Sequence, residues 1–369
     1  MTDIEAPSST ELEVSLFGPG FGESILIHLG ANSWIIVDSC ITGTSDLPAP
    51  IAYLRSIGVD PSSSVKVIVA THWHDDHIRG LSTIVDHCHE AEFCCSMALS
   101  RQEFISNATK FEVNNTIVGG SGAREIVKVL NSLNGKSPKR AIAGMLLKSF
   151  PGSDLGHNCN AELWALSPSD KQIDQFLSDI GSLSPSVKQT RFRLSSEKQN
   201  NGSLVLWLNV GDIKILLGGD LEETTDQDTG WTVVLSSEGR EGNRANIFKI
   251  PHHGSITGYS SDVWEHMVCE SPIAILTPFN RGSKKLPDKD DAKRILCHTD
   301  DAFSTSNHSN KRNKPRDKIV DKMIKETVGK IRPVQVSSGR ITIRRNLDGD
   351  GKYNVYLNNG ACHLSELAS

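Results

Sequence analysis

The sequence predicts an α/β fold in which mixed sheets are covered by helices, and three observations carry that expectation. Apolar β-like runs recur along the chain, and helical patterns alternate with the early ones. A cluster of histidines and aspartates, "VATHWHDDHIRG" (69–80), falls between one such run and a following helix. Runs this apolar belong to strands buried on both faces. Their alternation with helices belongs to layered α/β architecture.

The elements follow in order. "LEVSLFG" (12–18), "SILIHLG" (24–30) and "SWIIVDSC" (33–40) read as strands, the first two joined by the glycine-rich turn "PGFGE". "APIAYLRSIGV" reads as a helix with Ile51, Leu54 and Ile57 on one face. "SVKVIVAT" is a short buried strand ending at the histidine cluster. "DDHIRGLSTIVDHC" reads as one helix, with acids at its N-terminus and Ile78, Leu81 and Val85 facing inward. "AEFCCSMAL" is another strand, in which Cys94 and Cys95 read as small buried apolar residues.

Residues 100–150 are less regular, with helix-like stretches at 100–108 and 123–133. The glycines of "VGGSGAREIVKVL" read as a flexible helix entry, since the Lys-Ser/Thr of a phosphate-binding P-loop is missing. From 161 the strand pattern returns in "AELWALSP", "GSLVLWLNVG", "IKILLGGD", "NIFKIPHHGS" and "PIAILTPF". The polar, basic segment 305–318 reads as an exposed loop, 317–328 as a helix, and "RITIRRNLDGDGKYNVYL" as a hairpin. Its N-x-D-x-D-G turn imitates a calcium loop, but Leu357 stands where a bidentate Glu is needed.

Composition is ordinary for a globular chain of 369 residues, with 37% hydrophobic and 22% charged. The net charge of −5, from 39 basic and 44 acidic residues, argues against a broad nucleic-acid-binding surface and leaves room for a local basic rim. The polar, acidic start "MTDIEAPSSTELEVSL" holds no signal-peptide segment. No window approaches the roughly 18 apolar residues of a membrane span. Eight scattered cysteines, without a CxxC pair, read as reduced thiols, so a cytoplasmic protein with no membrane partner is expected.

The cluster is read from its geometry. His72 and His74, two apart on an extended segment, point the same way. Asp76 and His77 lie in the first turn of the next helix, whose N-terminus faces the same strand end. Imidazoles and a carboxylate converging there suit Zn²⁺, Mn²⁺ or Fe²⁺, and two clustered metals need about this many donors. Asp75 beside them reads as a helix cap, with a proton shuttle as the alternative.

"HWHDDH" matches the HxHxDH signature of the metallo-β-lactamase fold superfamily, and its surroundings resemble that family in order over roughly residues 12–300. "IIVDSC" resembles the strand ending in a supporting aspartate, here Asp38. "ILLGGDLEE" resembles the strand ending in the metal-bridging aspartate, here Asp220. "KIPHHGS" resembles the strand ending in the last histidine ligand. The resemblance implies an αββα sandwich of two packed mixed β-sheets flanked by helices. It also implies two divalent ions, Zn²⁺ or Mn²⁺, the first held by His72 and His74, the second by Asp76, His77 and His253, with Asp220 bridging. Asp38 would fix a ligand histidine's tautomer. Of His252 and His253, the glycine that follows favours His253 as ligand.

"FGPGFGESILIHLG", "NNGSLVLWL" (200–208) and "PHHGS" look like segments of the competence-protein ComEC hydrolase domain and its soluble relatives. "TPFNRG" and Thr305-Ser306 stand where that group has a late strand and an active-site loop. Many superfamily hydrolases carry a third histidine on the first metal. In this sequence the gap offers His87, His89 and His157, of which only His157 reads as able to reach the site. In the ComEC-like group the segment holding Asn200, Asn201 and Ser203 lines the site instead; a plain turn before a strand is the other reading.

The implied activity is phosphodiesterase or nuclease chemistry, a metal-bridged hydroxide attacking a nucleic acid or nucleotide substrate with Asp76, Asp220 and Asp38 in the catalytic group. "RGSKK" (281–285) and "NKRNKPRDK" (310–318) supply local cations. The alternatives are a lactonase, thioesterase or phosphocholine esterase on the same scaffold, favoured if His157 ligates, and a non-catalytic metal-binding partner protein. The domain reading is a flexible N-terminus (1–11), a catalytic domain (12–304) with a helical insertion at 100–160 near the site, and a C-terminal extension (305–369).

Overall fold

A computed structural model describes residues 5–20, 22–42, 47–100, 121–182, 200, 202–237, 242–279, 285–307, 338–349 and 351–368. The helices expected at 100–108 and 317–328, Asn201, the basic segment 310–318 and all of 281–285 except Lys285 lie outside them.

The described chain builds two packed eight-stranded mixed sheets. The first opens with β1 (Glu11–Gly20), β2 (Gly22–His28) and β3 (Trp34–Val37), an antiparallel meander. β4 (Val65–Ala70), β5 (Glu92–Ser96) and β6 (Lys139–Ala141) then run parallel to β3. In the second sheet β7 (Met145–Phe150), β8 (Ala161–Ala165), β9 (Leu206–Val210) and β10 (Ile213–Leu217) are antiparallel. β11 (Ala245–Lys249), β12 (Val268–Leu276) and β13 (Ala302–Ser304) run parallel to β10. Each sheet therefore carries four parallel strands, and the site forms where the carboxyl ends of both sets meet.

Period-2 alternation explains the layering. Ile25, Ile27, Ile35, Val37, Val67 and Val69 point between the sheets, where they meet Leu163, Leu206, Leu208 and Ile215. The intervening Leu26, Ile36 and Ile68 pack outward under helices, Ala49–Ser56 among them, and Trp207, Leu216 and Phe248 do the same on the far side. This is the expected sandwich of two sheets between helical layers.

The expected single helix over 75–88 is two short ones, Asp75–Ile78 and Leu81–His87. Gly80 separates them with φ 89°, and a Cβ there would lie 2.8 Å from Ile41 Cδ1. Ser39 Oγ donates to Arg79 O at 2.9 Å and holds the break. Ile78, Leu81 and Val85 still face inward as expected.

The insertion expected to be helical over 100–160 is helical only in part among its described residues. The helix Ser121–Ser132 is followed by β6 and β7, one strand in each sheet, so this stretch carries the crossover between them. Beyond residue 304 the chain completes both sheets. β14 (Gly339–Asn346) pairs with β1 from Glu11↔Asn346 to Gly18↔Gly339, β15 (Asn354–Asn358) forms the expected hairpin with it, and β16 (Cys362–His363) pairs with β13. A buried polar knot fastens β14. Glu13, fully buried, accepts from Arg344 Nε at 2.9 Å, Tyr53 OH at 3.1 Å and Ser15 Oγ at 2.7 Å.

Candidate metal centre

Asp38 follows β3 with φ 59°, a left-handed conformation that aspartate tolerates better than most residues. Its Oδ1 accepts from Thr71 N–H at 2.7 Å, and its Oδ2 from Thr71 Oγ1–H at 2.6 Å and His77 Nδ1–H at 2.8 Å. Thr71 Oγ1 lies 3.0 Å from His72 Nδ1. With the threonine proton given to Asp38, this oxygen accepts from His72 Nδ1–H. One carboxylate thus orients two histidines and turns both Nε2 atoms inward, ready to ligate once deprotonated.

Those nitrogens converge on one atom. Asp220 Oδ2 lies 3.3 Å from His77 Nε2, 3.4 Å from His253 Nε2 and 3.9 Å from His72 Nε2. His253 Nε2 is also 3.3 Å from Asp76 Oδ2, and His74 Nδ1 is 3.0 Å from His72 Nε2. Among the described residues four groups of donors lie close enough to hold a metal, His72–His74–Asp220 and Asp76–His77–His253 among them. His77 Nε2 is fully buried and makes no hydrogen bond despite its carboxylate neighbour. Unfilled nitrogen and oxygen donors packed this closely fit divalent metal ions such as zinc or manganese.

Local backbone explains the placement. Asp220 is delivered by the turn after β10, where Gly219 has φ 52° and a Cβ would meet Leu204 O and Ser203 Oγ, each at 2.6 Å. Ser203 Oγ accepts from Asp220 N–H at 3.0 Å, which gives this serine a positioning role. His252 and His253 both adopt positive φ, 44° and 54°, strained for non-glycine residues and typical of functional turns. The turn aims His253 inward, where Nδ1–H donates to Thr277 O at 2.9 Å. His252 faces the other way, 2.8 Å from Thr257 Oγ1 and 3.6 Å from Glu222 Oε1. Asn200 is buried, donates to Glu222 Oε1 at 2.6 Å and stands 3.4 Å from His252 Nε2.

His157 is placed elsewhere. Its Nε2–H donates to Leu29 O at 2.6 Å and its Nδ1 accepts from Cys159 N–H at 3.1 Å, so neither nitrogen is left for a metal. A lone histidine in sequence did not reveal this, since backbone groups are its only partners.

Burial opposes charge on His77 and His253, but Asp220 overcomes it, together with Asp38 at His77 and Asp76 at His253. His77 is held well above its ordinary range and His253 is raised to about 10. Burial, with the neighbouring His77, drives His72 well below its ordinary value; burial likewise lowers His74. For Asp220 burial works toward neutrality, yet His77 and His253 hold it well below the usual carboxylate range.

Five neighbours gained importance from the structure alone: Thr71, Glu23, Lys249, Glu222 and Thr277. Lys249 Nζ contacts Glu23 Oε1 and donates to Gly219 O at 2.9 Å. Burial disfavours its charge, but Glu23 and Asp220 raise its pKa. Glu23 lay within the quoted "FGPGFGES" and Thr71 directly before His72, so position was a signal; their roles needed three dimensions.

Residues 17–101 match the family model described as the metallo-beta-lactamase superfamily, and this segment holds Asp38, His72, His74, Asp76 and His77. A beta-lactamase-like protein 2 homolog of Drosophila melanogaster is 39% identical over 51 residues, which span 14% of this chain and 16% of that relative. Among solved structures, a motif mutant of a Cronobacter sakazakii metallo-beta-lactamase is 15% identical over 64% of this chain and 75% of its own, with TM-score 0.31. A subclass B3 metallo-beta-lactamase from a soil metagenome library is 12% identical over 73% and 78%, with TM-score 0.32.

Proposed function

We propose that this chain is a metal-dependent hydrolase that cleaves phosphodiester bonds in a nucleic acid or nucleotide, using two divalent ions, zinc or manganese. One observation carries the metal reading: three imidazole nitrogens reach within 3.9 Å of Asp220 Oδ2, from both sheets. Hydrolysis is the typical chemistry of the superfamily that residues 17–101 match.

His72, His74 and Asp220 would hold one ion and Asp76, His77 and His253 the other, with Asp220 shared. Bound there, the ions would lower the pKa of water toward neutrality and offset charge developing on phosphate oxygens. The chain's own contribution is orientation. Asp38 holds His77, Thr71 holds His72, Thr277 O holds His253, and Ser203 holds the backbone of Asp220. His252, with Asn200 and Glu222 behind it, would offer a polar contact to a substrate.

The diester reading is supported by the likeness of the segment 200–208 to ComEC-like hydrolases and by the contacts of Asn200 with Glu222 and His252. A His157 ligand would favour the lactonase, thioesterase or phosphocholine esterase alternatives, and its nitrogens are taken by Leu29 and Cys159. The test is hydrolysis of bis-p-nitrophenyl phosphate by metal-free protein titrated with Mn²⁺ and Zn²⁺, beside the variant H72A/D220A. Metal-dependent turnover lost in the variant supports the proposal. Metal binding without diester cleavage would redirect it to lactones and thioesters.

A further inference from the structure

Beneath the ligands lies a buried ion pair with no assigned part in hydrolysis. Glu23 in β2 is 3% exposed and Lys249, the last residue of β11, is 1% exposed, so the pair joins the two sheets inside the molecule. The ammonium contacts Glu23 Oε1, donates to Gly219 O at 2.9 Å and stands 3.7 Å from Asp220 Oδ1. Charges buried this deeply persist only when paired, and such a pair is weak evidence of a stabilising role.

The two oxygens of Asp220 therefore have different surroundings. Oδ2 faces His72, His77 and His253, whereas Oδ1 is buried, makes no hydrogen bond and faces the ammonium. We infer that Lys249, held in place by Glu23, is the positioning residue for Asp220. It clamps the Gly219–Asp220 turn and occupies the side of Oδ1, so that Oδ2 alone is presented to both ions.

Glu23 is then the counter-ion of Lys249 and not a metal ligand. Its oxygens lie 3.8 Å from His77 Nδ1 and 4.0 Å from His253 Nδ1, and with His77 and Asp220 it forms a further group able to hold a metal. An ion bound there would sit against the ammonium already in contact with the same carboxylate, and like charges repel. This inference rests on the dinuclear reading above.

The test measures metal affinity by competition against a chelator, together with the Tm of the metal-free protein, for wild type, K249M, E23Q and E23L/K249M. Apolar replacement of both charges removes the clamp without leaving either charge buried alone. The inference expects E23L/K249M to melt, metal-free, no lower than wild type while binding the more weakly held ion about 10- to 100-fold less tightly, as losses of supporting groups around metals do. K249M should lose as much, and E23Q, which retains the Lys249–Gly219 bond, about tenfold. Wild-type affinity in a folded E23L/K249M or E23Q variant overturns the inference and leaves the hydrolase reading standing. If wild type itself binds no metal, the reading of the site fails, and the inference falls with it.

Discussion

Asp38 Oδ2 accepts the Nδ1–H of His77 at 2.8 Å, tying the end of β3 to the first turn after β4. The same carboxylate holds Thr71 through two further hydrogen bonds. Replacing it with asparagine keeps the volume but removes the charge and half of the accepting capacity. D38N should bind Zn²⁺ about 10- to 100-fold more weakly than wild type, measured against a chelator. Unchanged affinity would mean that Asp38 does not orient the ligands.

His157 gives the opposite prediction. H157A removes two buried hydrogen bonds to backbone groups and leaves Leu29 O and Cys159 N–H without their partner. Denaturant unfolding should show a loss of about 1–3 kcal/mol, with metal stoichiometry and affinity as in wild type. A lost metal ion would restore His157 as a ligand.

Metal binding should release protons. His77 and His253 carry them in the metal-free chain, His253 up to about pH 10, and a coordinating nitrogen must give its proton up. Apparent affinity therefore rises with pH. Calorimetry at pH 7.5 in two buffers of different ionisation enthalpy should report net proton release, and equal heats in both would contradict it. For the metal-free fold the sign is reversed. His253 titrates near 6.5 when unfolded. Its stabilising contribution is complete below about pH 6.5 and fades as pH rises toward about 10.

Gly22 makes a close backbone approach at the site. It has φ 110°, and a Cβ there would fall 2.0 Å from Asp76 O and 2.9 Å from Ser39 O. G22A forces β2 away from the Asp75–Ile78 helix, so both stability and metal affinity should fall, the former by about 1–3 kcal/mol. A variant matching wild type in both would show that this approach is looser than described.

How much of this was visible in the sequence depends on how far apart the partners are. β1 to β5 were readable because each strand writes its own apolar run, and "HWHDDH" because one strand end supplies four donors in sequence. Asp220 and His253 were named only through resemblance, since nothing local says that the strand ends of two sheets will meet. The Gly80 break was hidden because Ile78, Leu81 and Val85 keep the inward face of a continuous helix across it. The Glu23–Lys249 pair was invisible for another reason. An isolated glutamate and lysine read as solvated surface, and only the packing of β2 against β11 buries them together.

The central claim is that the cluster around Asp220 holds two metal ions. The most direct measurement is the metal content of the purified chain after equilibrium dialysis against Zn²⁺ or Mn²⁺, read by elemental analysis beside D220A. Two ions per wild-type chain are expected, and at most one, weakly held, in the variant. Wild-type protein that retains no metal, or a D220A variant that retains both ions, would contradict it.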